Sequence, residues 1–469
     1  MPYKNYLLIF CFSFAVFLAL HFYFISAAYA YALNNAAKAG KIAEAGKNNN
    51  SDAASYALNL IRAYKKAVKY DHGYKAALYG KRAAGALGRE GLSVLLPHIS
   101  AQAGVSRYDF ISPPPFYYSF ASRTEGVSIT QPLFSMKRIF EYSQYRTRQS
   151  IGNVKFESEK QNLIIRVAEV YLDVLAAKNF LDVLKSQKKA VRYELKQAKK
   201  LLSAGAGTKT GLYDARAKYY SVLSQIVGAE SNLQNAYMKF KDVVGVSGRN
   251  LEPLRNHIPA AAPEPENLKY WVNVGIKHNP MLKYYRYNIN YLQEEVKMDI
   301  SSYLPSAGLQ AGYTATNTQM LLKTPPLRYY SIGFQINIPI FDGGYAFAKT
   351  SKSDNMALQA KQEYEKEVFK NTRKLSRSYL GAKGDVVKIK MLQLALKSAK
   401  ISLTGDRLGF KAGIKTIADV LNAIESVYNV KAKLLKAKYE YIMNLLDLYF
   451  NAGVLSEYDL GKINGWLRG

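Results

Sequence analysis

The segment that decides the fold is FKAGIKTIADVLNAIESVY, residues 410–428. It predicts a tight turn at Gly413, because glycine adopts positive φ without steric cost, followed directly by a new helix. A helical pattern leads back from this turn to about residue 346. At 1.5 Å per residue, those roughly 65 residues would reach about 100 Å, which is far longer than a globular helix. The segment therefore predicts a very long helical hairpin.

An earlier segment, LLSAGAGTKTGLYDARAKY at residues 201–219, has the same arrangement around Gly205. Gly205 and Gly413 are 208 positions apart, and LLPHISAQAG around Pro97 matches YLPSAGLQAG around Pro305 at the same separation. A separation held over so long a stretch indicates an internal duplication. The two predicted units occupy residues 56–256 and 268–452, with long hairpins at about 138–245 and 346–450.

Alternating apolar and polar side chains precede each predicted hairpin. The alternation is clear in residues 98–106 and 306–314, and Phe334, Ile336 and Ile338 repeat it later. A period of two predicts strands with one apolar and one polar face, which a half-buried soluble sheet would also show. Strands of about ten residues cross a bilayer when tilted, and the long aromatic loops between them suit its interface. The predicted strands lie at about 98–108, 126–133, 306–315 and 331–340.

Four strands are too few to close a membrane barrel. An open edge in lipid would leave backbone groups unpaired at several kcal/mol each, and the smallest barrels have about eight strands. Copies of the chain would therefore share one barrel, of eight strands in a dimer or twelve in a trimer. The long helices carry apolar positions such as Leu163, Val167 and Val170 at coiled-coil spacing. A coiled-coil scaffold without a pore is the alternative, but it does not explain the strands.

The remaining segments have simpler patterns. Residues 1–30 match a secretory signal peptide, with Lys4 before an apolar run and a small-x-small site ending at Ala30. An uncleaved membrane anchor is the alternative. Residues 31–55 are expected to be flexible, residues 257–267 form a proline-rich linker between the two units, and residues 453–469 are expected to be a C-terminal surface segment.

Composition and motifs limit the function. The 469 residues carry a net charge of +30, which permits binding to polyanions. However, the lysines are expected to be scattered over the helices and not clustered on one face, and no nucleic-acid motif occurs, so we expect no nucleic-acid partner. The one cysteine, Cys11, lies in the apolar N-terminal run, and the five histidines show no metal-binding spacing. Because catalytic motifs such as HExxH or a phosphate loop are also missing, we expect no enzyme activity, no cofactor and no metal.

The duplicated motifs resemble those of the TolC-type outer-membrane efflux proteins, the outer membrane factors. The resemblance rests on the two LLPHISAQAG-like segments, on QPLF and IPIFDGG, and on RLGFKAGIKTIADVLNA, and it extends from Tyr56 to Leu460. It implies a mainly α chain with a transmembrane β part. Three chains would share a 12-stranded β-barrel, four strands each, continuous with a long α-helical coiled-coil barrel in the periplasm.

The same resemblance implies a function. The chain would be a passive channel, the outer-membrane exit duct of a tripartite efflux or type I secretion system, gated at its periplasmic tip. Its expected partners are two further copies, a periplasmic adaptor (membrane fusion) protein, an inner-membrane pump of the RND, ABC or MFS class, and outer-membrane lipid. The cargo, whether drug, metal or polypeptide, stays open.

The resemblance also assigns residues at the tip. Asp419 would line the pore constriction, where a ring of carboxylates attracts cations, although an ordinary helix-start carboxylate is the alternative. Asn422 stands where the best-known relative has an acid, so the ring would be weaker. Gly205 and Gly413 would make the hairpin turns.

The resemblance further predicts a loose latch between the hairpins. Gly211 and Phe410 replace an aspartate and a tyrosine that are hydrogen-bonded in the family, so both partners of that clamp are missing together. Thr210 and Lys415 would form the remaining contact, and lysine lacks the bidentate fork of the arginine often found there.

Overall fold

The structure is a computed structural model that describes residues 57–111, 117–255, 257–319 and 325–467. The expected signal peptide and the N-terminal segment to residue 55 lie outside these residues. The first unit consists of α1 (Leu60–Tyr70), α2 (His72–Ser93), β1 (His98–Ile111), β2 (Tyr117–Phe134), α3 (Met136–Ser203) and α4 (Lys209–Val244). The second consists of α5 (Leu268–His278), α6 (Pro280–Ile300), β3 (Ser306–Gln319), β4 (Leu327–Asn337), α7 (Tyr345–Lys411) and α8 (Ile417–Ala452), and α9 (Glu457–Asn464) follows.

Equivalent side chains begin equivalent helices in the two units. Asn59 caps α1 by accepting a hydrogen bond from the backbone N–H of Arg62 at 2.9 Å. Asn267, 208 positions later, caps α5 in the same way from the N–H of Tyr270 at 3.3 Å. An asparagine oxygen at this position satisfies a backbone donor that has no partner inside the helix. The duplication is therefore carried by local capping as well as by overall pattern.

The four strands form one antiparallel sheet in the order β1-β2-β3-β4. Its register aligns Ile99 with Ile129, Ile129 with Ala311, and Ala311 with Ile332, so one face is apolar. Ser100 and Ser128 are paired on the opposite face, where their hydroxyls lie 2.8 Å apart. The alternation in the sequence thus becomes one apolar and one polar face. Within the described residues, β1 and β4 each keep one edge without a partner strand.

The strand ends differ from those expected. The β1–β2 ladder continues through part of the aromatic stretch, with Tyr108 stacked on Phe120 at 5.1 Å, because backbone pairing does not require alternation. β3 likewise runs past residue 315. β4 ends at Asn337 instead of 340, since Asn337 already faces Ser306, the first residue of β3, and nothing remains to pair with the residues that follow.

The long helices pack side by side in an order that changes along their length. Near the sheet, α3 lies between α2 and α6, and α6 packs on α7. Near the hairpin turns, α3 lies between α4 and α8, and α8 packs on α7. Tyr171 of α3 is fully buried between these regions, and its hydroxyl donates to the carbonyls of Leu58 and Glu252 at 3.0 Å.

Among the helices of the described ranges, none has both the length and the apolar character that a membrane-crossing helix requires.

The C-terminal segment is not the surface segment expected from the sequence. Leu460, Ile463 and Leu467 are buried in the same core as Tyr171, and the backbone N–H of Arg255 donates to the Trp466 carbonyl at 2.9 Å. The apolar side chains are spaced at three to four residues, so they bury together once this segment forms a helix and turns back on the first unit.

Candidate functional site at the hairpin turns

Both long hairpins reverse at a glycine with positive φ. Gly205 has φ of 72° and Gly413 has φ of 76°. In the first turn the N–H of Ala206 donates to the Leu201 carbonyl at 2.9 Å, and an equivalent bond of 2.9 Å closes the second turn. This is the usual way in which a left-handed residue satisfies the last carbonyls of a helix. The two turns therefore have the same backbone construction.

The helices that leave the two turns begin differently. The Thr208 hydroxyl accepts from the Gly211 N–H at 3.1 Å, and the Thr416 hydroxyl accepts from the Asp419 N–H at 3.2 Å. The second hairpin has an additional feature that the first lacks. The Asp419 carboxylate accepts hydrogen bonds from the N–H and the hydroxyl of Thr416, each at 2.8 Å. Both bonds lower the pKa of Asp419, and the bond from the backbone N–H has the larger effect. The Asp419 carboxylate therefore keeps its charge in mildly acidic solution.

Two polar residues near the starts of these helices bear on the role of Asp419: Asn422, which the sequence analysis names, and Asp214, which it does not. Asn422 is exposed one helical turn further along α8. Asp214 is exposed in α4 and lies 208 positions before Asn422. The first hairpin thus carries its carboxylate one turn deeper than the second. The repeat offset alone could have identified Asp214 as a candidate.

Gly211 lies where the two hairpins come together. A Cβ at this position would lie 2.8 Å from Cγ2 of Ile417 and 3.1 Å from the hydroxyl oxygen of Thr208. Gly211 and Phe410 both line one groove of about 330 Å³, together with the exposed residue Thr210. A side chain other than hydrogen at residue 211 would occupy space that Ile417 now fills. The glycine therefore permits close contact between the hairpins.

Lys415 makes its charge contact within its own hairpin. Its ammonium nitrogen lies 3.8 Å from the Asp406 carboxylate of α7. Thr210, the expected partner of Lys415, is an exposed residue at the start of α4. The structure thus brings Gly211 and Phe410 to one groove, while the ion pair of Lys415 is local to the second hairpin.

Two ion pairs join the hairpins at positions that the sequence analysis missed. Arg407 of α7 contacts Glu194 of α3 at 3.0 Å, and the Glu194 side chain is only 4% exposed. Closer to the surface, Lys218 of α4 pairs with Glu425 of α8. Glu194 follows the buried spacing of Val191 and Ala198, so an acid on the apolar side of α3 was the available signal. Its partner could not be read from the sequence, because it lies 213 positions away.

Two tyrosines of α8 form hydrogen bonds with α3 of the other hairpin. The Tyr428 hydroxyl donates to the Ser186 carbonyl at 3.1 Å. Further from the turn, the Asn179 amide donates to the Tyr439 hydroxyl oxygen at 2.6 Å. Burial raises the pKa of Tyr439 to about 12, so it stays neutral. The hairpins are therefore joined by polar contacts over several helical turns.

Known proteins share both the sequence and the fold. A family model described as "Outer membrane efflux protein" matches residues 64–246 and 271–454, one match in each unit. The alkaline protease secretion protein AprF of Pseudomonas aeruginosa is 26% identical over 87% of this chain and 86% of its own length. The outer membrane protein TolC of Vibrio cholerae is 27% identical over 88% of this chain and 95% of its own.

A solved structure has the same architecture. The outer membrane protein VceC of Vibrio cholerae superposes with a TM-score of 0.73 at 15% identity, covering 84% of this chain and 96% of VceC. The resemblance inferred from the motifs is thereby confirmed, as is the combination of long helices with a four-stranded sheet. Because the family model matches well over half of its residues, the chain belongs to the outer membrane efflux protein family and is an exit duct in the outer membrane.

Proposed function

We propose that three copies of this chain close into one duct, and that a periplasmic adaptor and an inner-membrane pump join it at the hairpin turns. The observation that carries the ring is that, among the described residues, the sheet has two edges without a partner strand and the outer helices have two exposed apolar stripes. Each pair of features is what a ring of identical subunits requires. The partners at the hairpin turns rest on the family resemblance.

The sheet supplies the first pair of edges. β1 and β4 are at opposite sides of the sheet, and its apolar face is exposed, with Ile332 and Phe334 more than half accessible. In lipid an apolar face is favourable, but an unpaired strand edge is not. Pairing β1 of one copy with β4 of the next satisfies both edges at once. Four strands per copy then give twelve in a trimer.

The helices near the turns supply the second pair of surfaces, two exposed apolar stripes. α4 and α7 are the outer helices of this layer, and each carries exposed apolar side chains spaced seven residues apart, all more than half accessible. Seven-residue spacing is the pattern of a coiled-coil seam. The stripes are Tyr213, Tyr220 and Val227 on α4, and Leu380, Val387, Leu394, Ile401 and Leu408 on α7.

The two surfaces that would meet between neighbouring copies are different from each other, and this difference determines the kind of symmetry. A contact between different surfaces of identical subunits generates a ring if the rotation closes. The α4 stripe would meet the α7 stripe of the next copy, as β1 would meet β4. The stripe geometry does not choose the number of copies. The choice of three rests on the family resemblance.

We infer a polypeptide cargo, with an ABC-type pump, ahead of small drugs. AprF and PrtF are named for protease secretion, and PrtF of Dickeya chrysanthemi is 25% identical over 89% of this chain. The multidrug resistance protein MdtP of Escherichia coli matches only 42% of this chain. A test is complementation of a strain that lacks its own duct. Secretion of a protease without restored drug resistance supports the inference, and drug resistance alone contradicts it.

The assembly is tested on the full chain purified in detergent. Light scattering should give a protein mass of three chains, and planar bilayers should show discrete conductance steps. A monomer that is soluble without detergent, or a preparation without discrete steps, would support the coiled-coil scaffold instead.

A further inference from the structure

A row of positive charges lies on the exposed side of α3 close to the first hairpin turn. Successive members are separated by three or four residues, with one adjacent pair at the end, so they share one side of the helix. From first to last the row covers about 22 Å of helix. The residues, called here the cationic stripe, are Lys185, Lys189, Arg192, Lys196, Lys199 and Lys200, all of them exposed.

Nothing in the described part of the chain neutralises the cationic stripe. None of its six residues belongs to an ion pair among those residues. Two acids occur in the same stretch of α3. Asp182 lies at the margin, and Glu194 is buried on the opposite side, where it pairs with Arg407. The stripe is therefore a concentrated charge on one side of a helix, and the expectation that the lysines are not clustered on one face is wrong here. Positions three and four residues apart look scattered along the sequence but share one side of a helix.

The cationic stripe also differs from the surfaces that a ring of copies would cover. α3 is flanked by α4 and α8 of its own chain, and Val191 and Ala198 are buried there. The apolar stripes that suit a neighbouring copy lie on α4 and α7 instead. Tyr193 is the large apolar side chain exposed beside the charges. The inference rests on the proposed ring in one respect: the apolar contacts between copies would leave the cationic stripe uncovered.

The second unit shows that the stripe is not a general lysine bias. The equivalent positions of α7 lie 208 residues later, and Arg407, one of them, turns inward to Glu194. Only two of the other five are basic. The α7 residues are Gln393, Lys397, Lys400, Thr404, Arg407 and Leu408. The row of free cations is therefore specific to the first hairpin.

We propose that the cationic stripe docks an acidic helix of another protein, lying alongside α3. Carboxylates placed three and four residues apart on such a helix recur at the same pitch as the cations, so several pairs form in one register. Five of the six residues are lysines, which act as point charges and tolerate variation in geometry. Without an apolar seam, the contact is electrostatic, rapid to form and weakened by salt.

The three–four spacing of the charges allows an experiment to distinguish an acidic helix from a flexible polyanion. The test uses the trimeric full chain in detergent and a stapled helical peptide as long as the stripe, with glutamates at three–four spacing on one side. A second stapled peptide has the same composition with the glutamates distributed around the helix. Fluorescence anisotropy should give a dissociation constant about tenfold lower for the one-sided peptide, and binding should weaken as salt rises.

Substitutions test whether the peptide binds at the cationic stripe. Replacing four stripe residues by glutamine should abolish the preference for the one-sided peptide, whereas a matched variant with the same loss of charge elsewhere should keep it. The stripe variant is Lys185→Gln, Lys189→Gln, Arg192→Gln and Lys196→Gln. The control is Lys137→Gln, Lys352→Gln, Lys361→Gln and Lys366→Gln.

Three outcomes would overturn the proposal. Equal binding of the two peptides would make the stripe a nonspecific polyanion surface. Loss of the preference in the control variant would make net charge responsible. Absence of binding would leave the stripe as a solvated helix face. Mass and conductance measured on the same preparations separate each of these from a failure of the duct itself.

Discussion

The first and second hairpin turns have the same backbone but different side chains three residues into the following helix. Both use a glycine with positive φ and a threonine cap. The first then has Gly211, which allows contact with Ile417, while the second has Asp419, which completes a capping box. Duplicated units thus share what the turn requires. They differ at the third residue of the following helix, which in the first hairpin contacts the second hairpin.

A second difference lies on the outer surface. Tyr213 is exposed on α4, whereas Leu421, its equivalent on α8, is only 3% exposed. The reason is position in the layer: α8 lies between α3 and α7, while α4 lies at an edge. Equivalent sequences are buried or exposed according to their neighbours.

Introducing positive charges into the apolar stripe of α7 should prevent this helix from packing against a neighbouring copy. Leu394→Lys with Ile401→Lys places two ammonium groups in an apolar seam, where unpaired charge is strongly unfavourable. We expect loss of the trimer by light scattering and loss of conductance steps. Gln393→Lys with Thr404→Lys adds the same charge to exposed positions beside the stripe and should keep both. A trimer in the first variant would show that α7 is not an interface.

Removing Arg407 should loosen the two hairpins. Arg407→Gln leaves the Glu194 carboxylate buried without its charged partner, at a cost of about 2 kcal/mol. We expect an earlier thermal unfolding transition and a higher closed-state conductance. Lys218→Gln, which breaks the more exposed pair with Glu425, should cost less than about 1 kcal/mol. Equal effects of the two variants would contradict a special role for the buried pair.

Adding one methyl group to Gly211 should force the hairpins apart. The new Cβ would lie 2.8 Å from the Ile417 side chain, and such overpacking costs about 1–3 kcal/mol. Gly228, on the same helix, has no neighbour within 4 Å of a built Cβ, so Gly228→Ala should stabilise the helix slightly. Thermal unfolding of both variants measures the contrast. Identical shifts would mean that the close contact is unimportant.

Asp419→Ala separates capping from pore lining. Losing the cap should cost about 1 kcal/mol, and losing the carboxylate should reduce block by multivalent cations in bilayer recordings. Asp459→Ala removes the same kind of capping box from α9 and should leave block unchanged. Unchanged block in the first variant would remove Asp419 from the constriction.

Measuring cation block at acidic pH provides a second test of the role of Asp419. Because its bonds to Thr416 lower the pKa of Asp419, the carboxylate takes up a proton at lower pH than an ordinary aspartate, and the cap and the expected block should persist until then. Recording block as the pH falls should therefore show its loss at lower pH than for an ordinary aspartate. Loss of block already in mildly acidic solution would contradict the assignment.

Local features followed from the sequence because their causes are local. Gly205, Gly413 and the capping residue Thr416 act through their own backbone and nearest neighbours, so the turns could be identified from a few letters. The alternation in the strands likewise predicted the two faces of the sheet. The strand ends and the C-terminal helix were misjudged, because partner strands and distant helices decide them. Leu467 is buried only when it meets the first unit.

By itself, the sequence determined the duplication, the hairpin turns, the alternating strands and the family, since each is written in spacing along the chain. The tertiary structure alone decided that Glu194 meets Arg407, that α4 and α7 are the outer helices near the turns, and that six cations of α3 have no ion-pair partner among the residues that the structure describes. Contacts between residues some 200 positions apart depend on how whole helices pack. A shift of one helical turn, about 5.4 Å, would change every such partner and leave each local pattern intact.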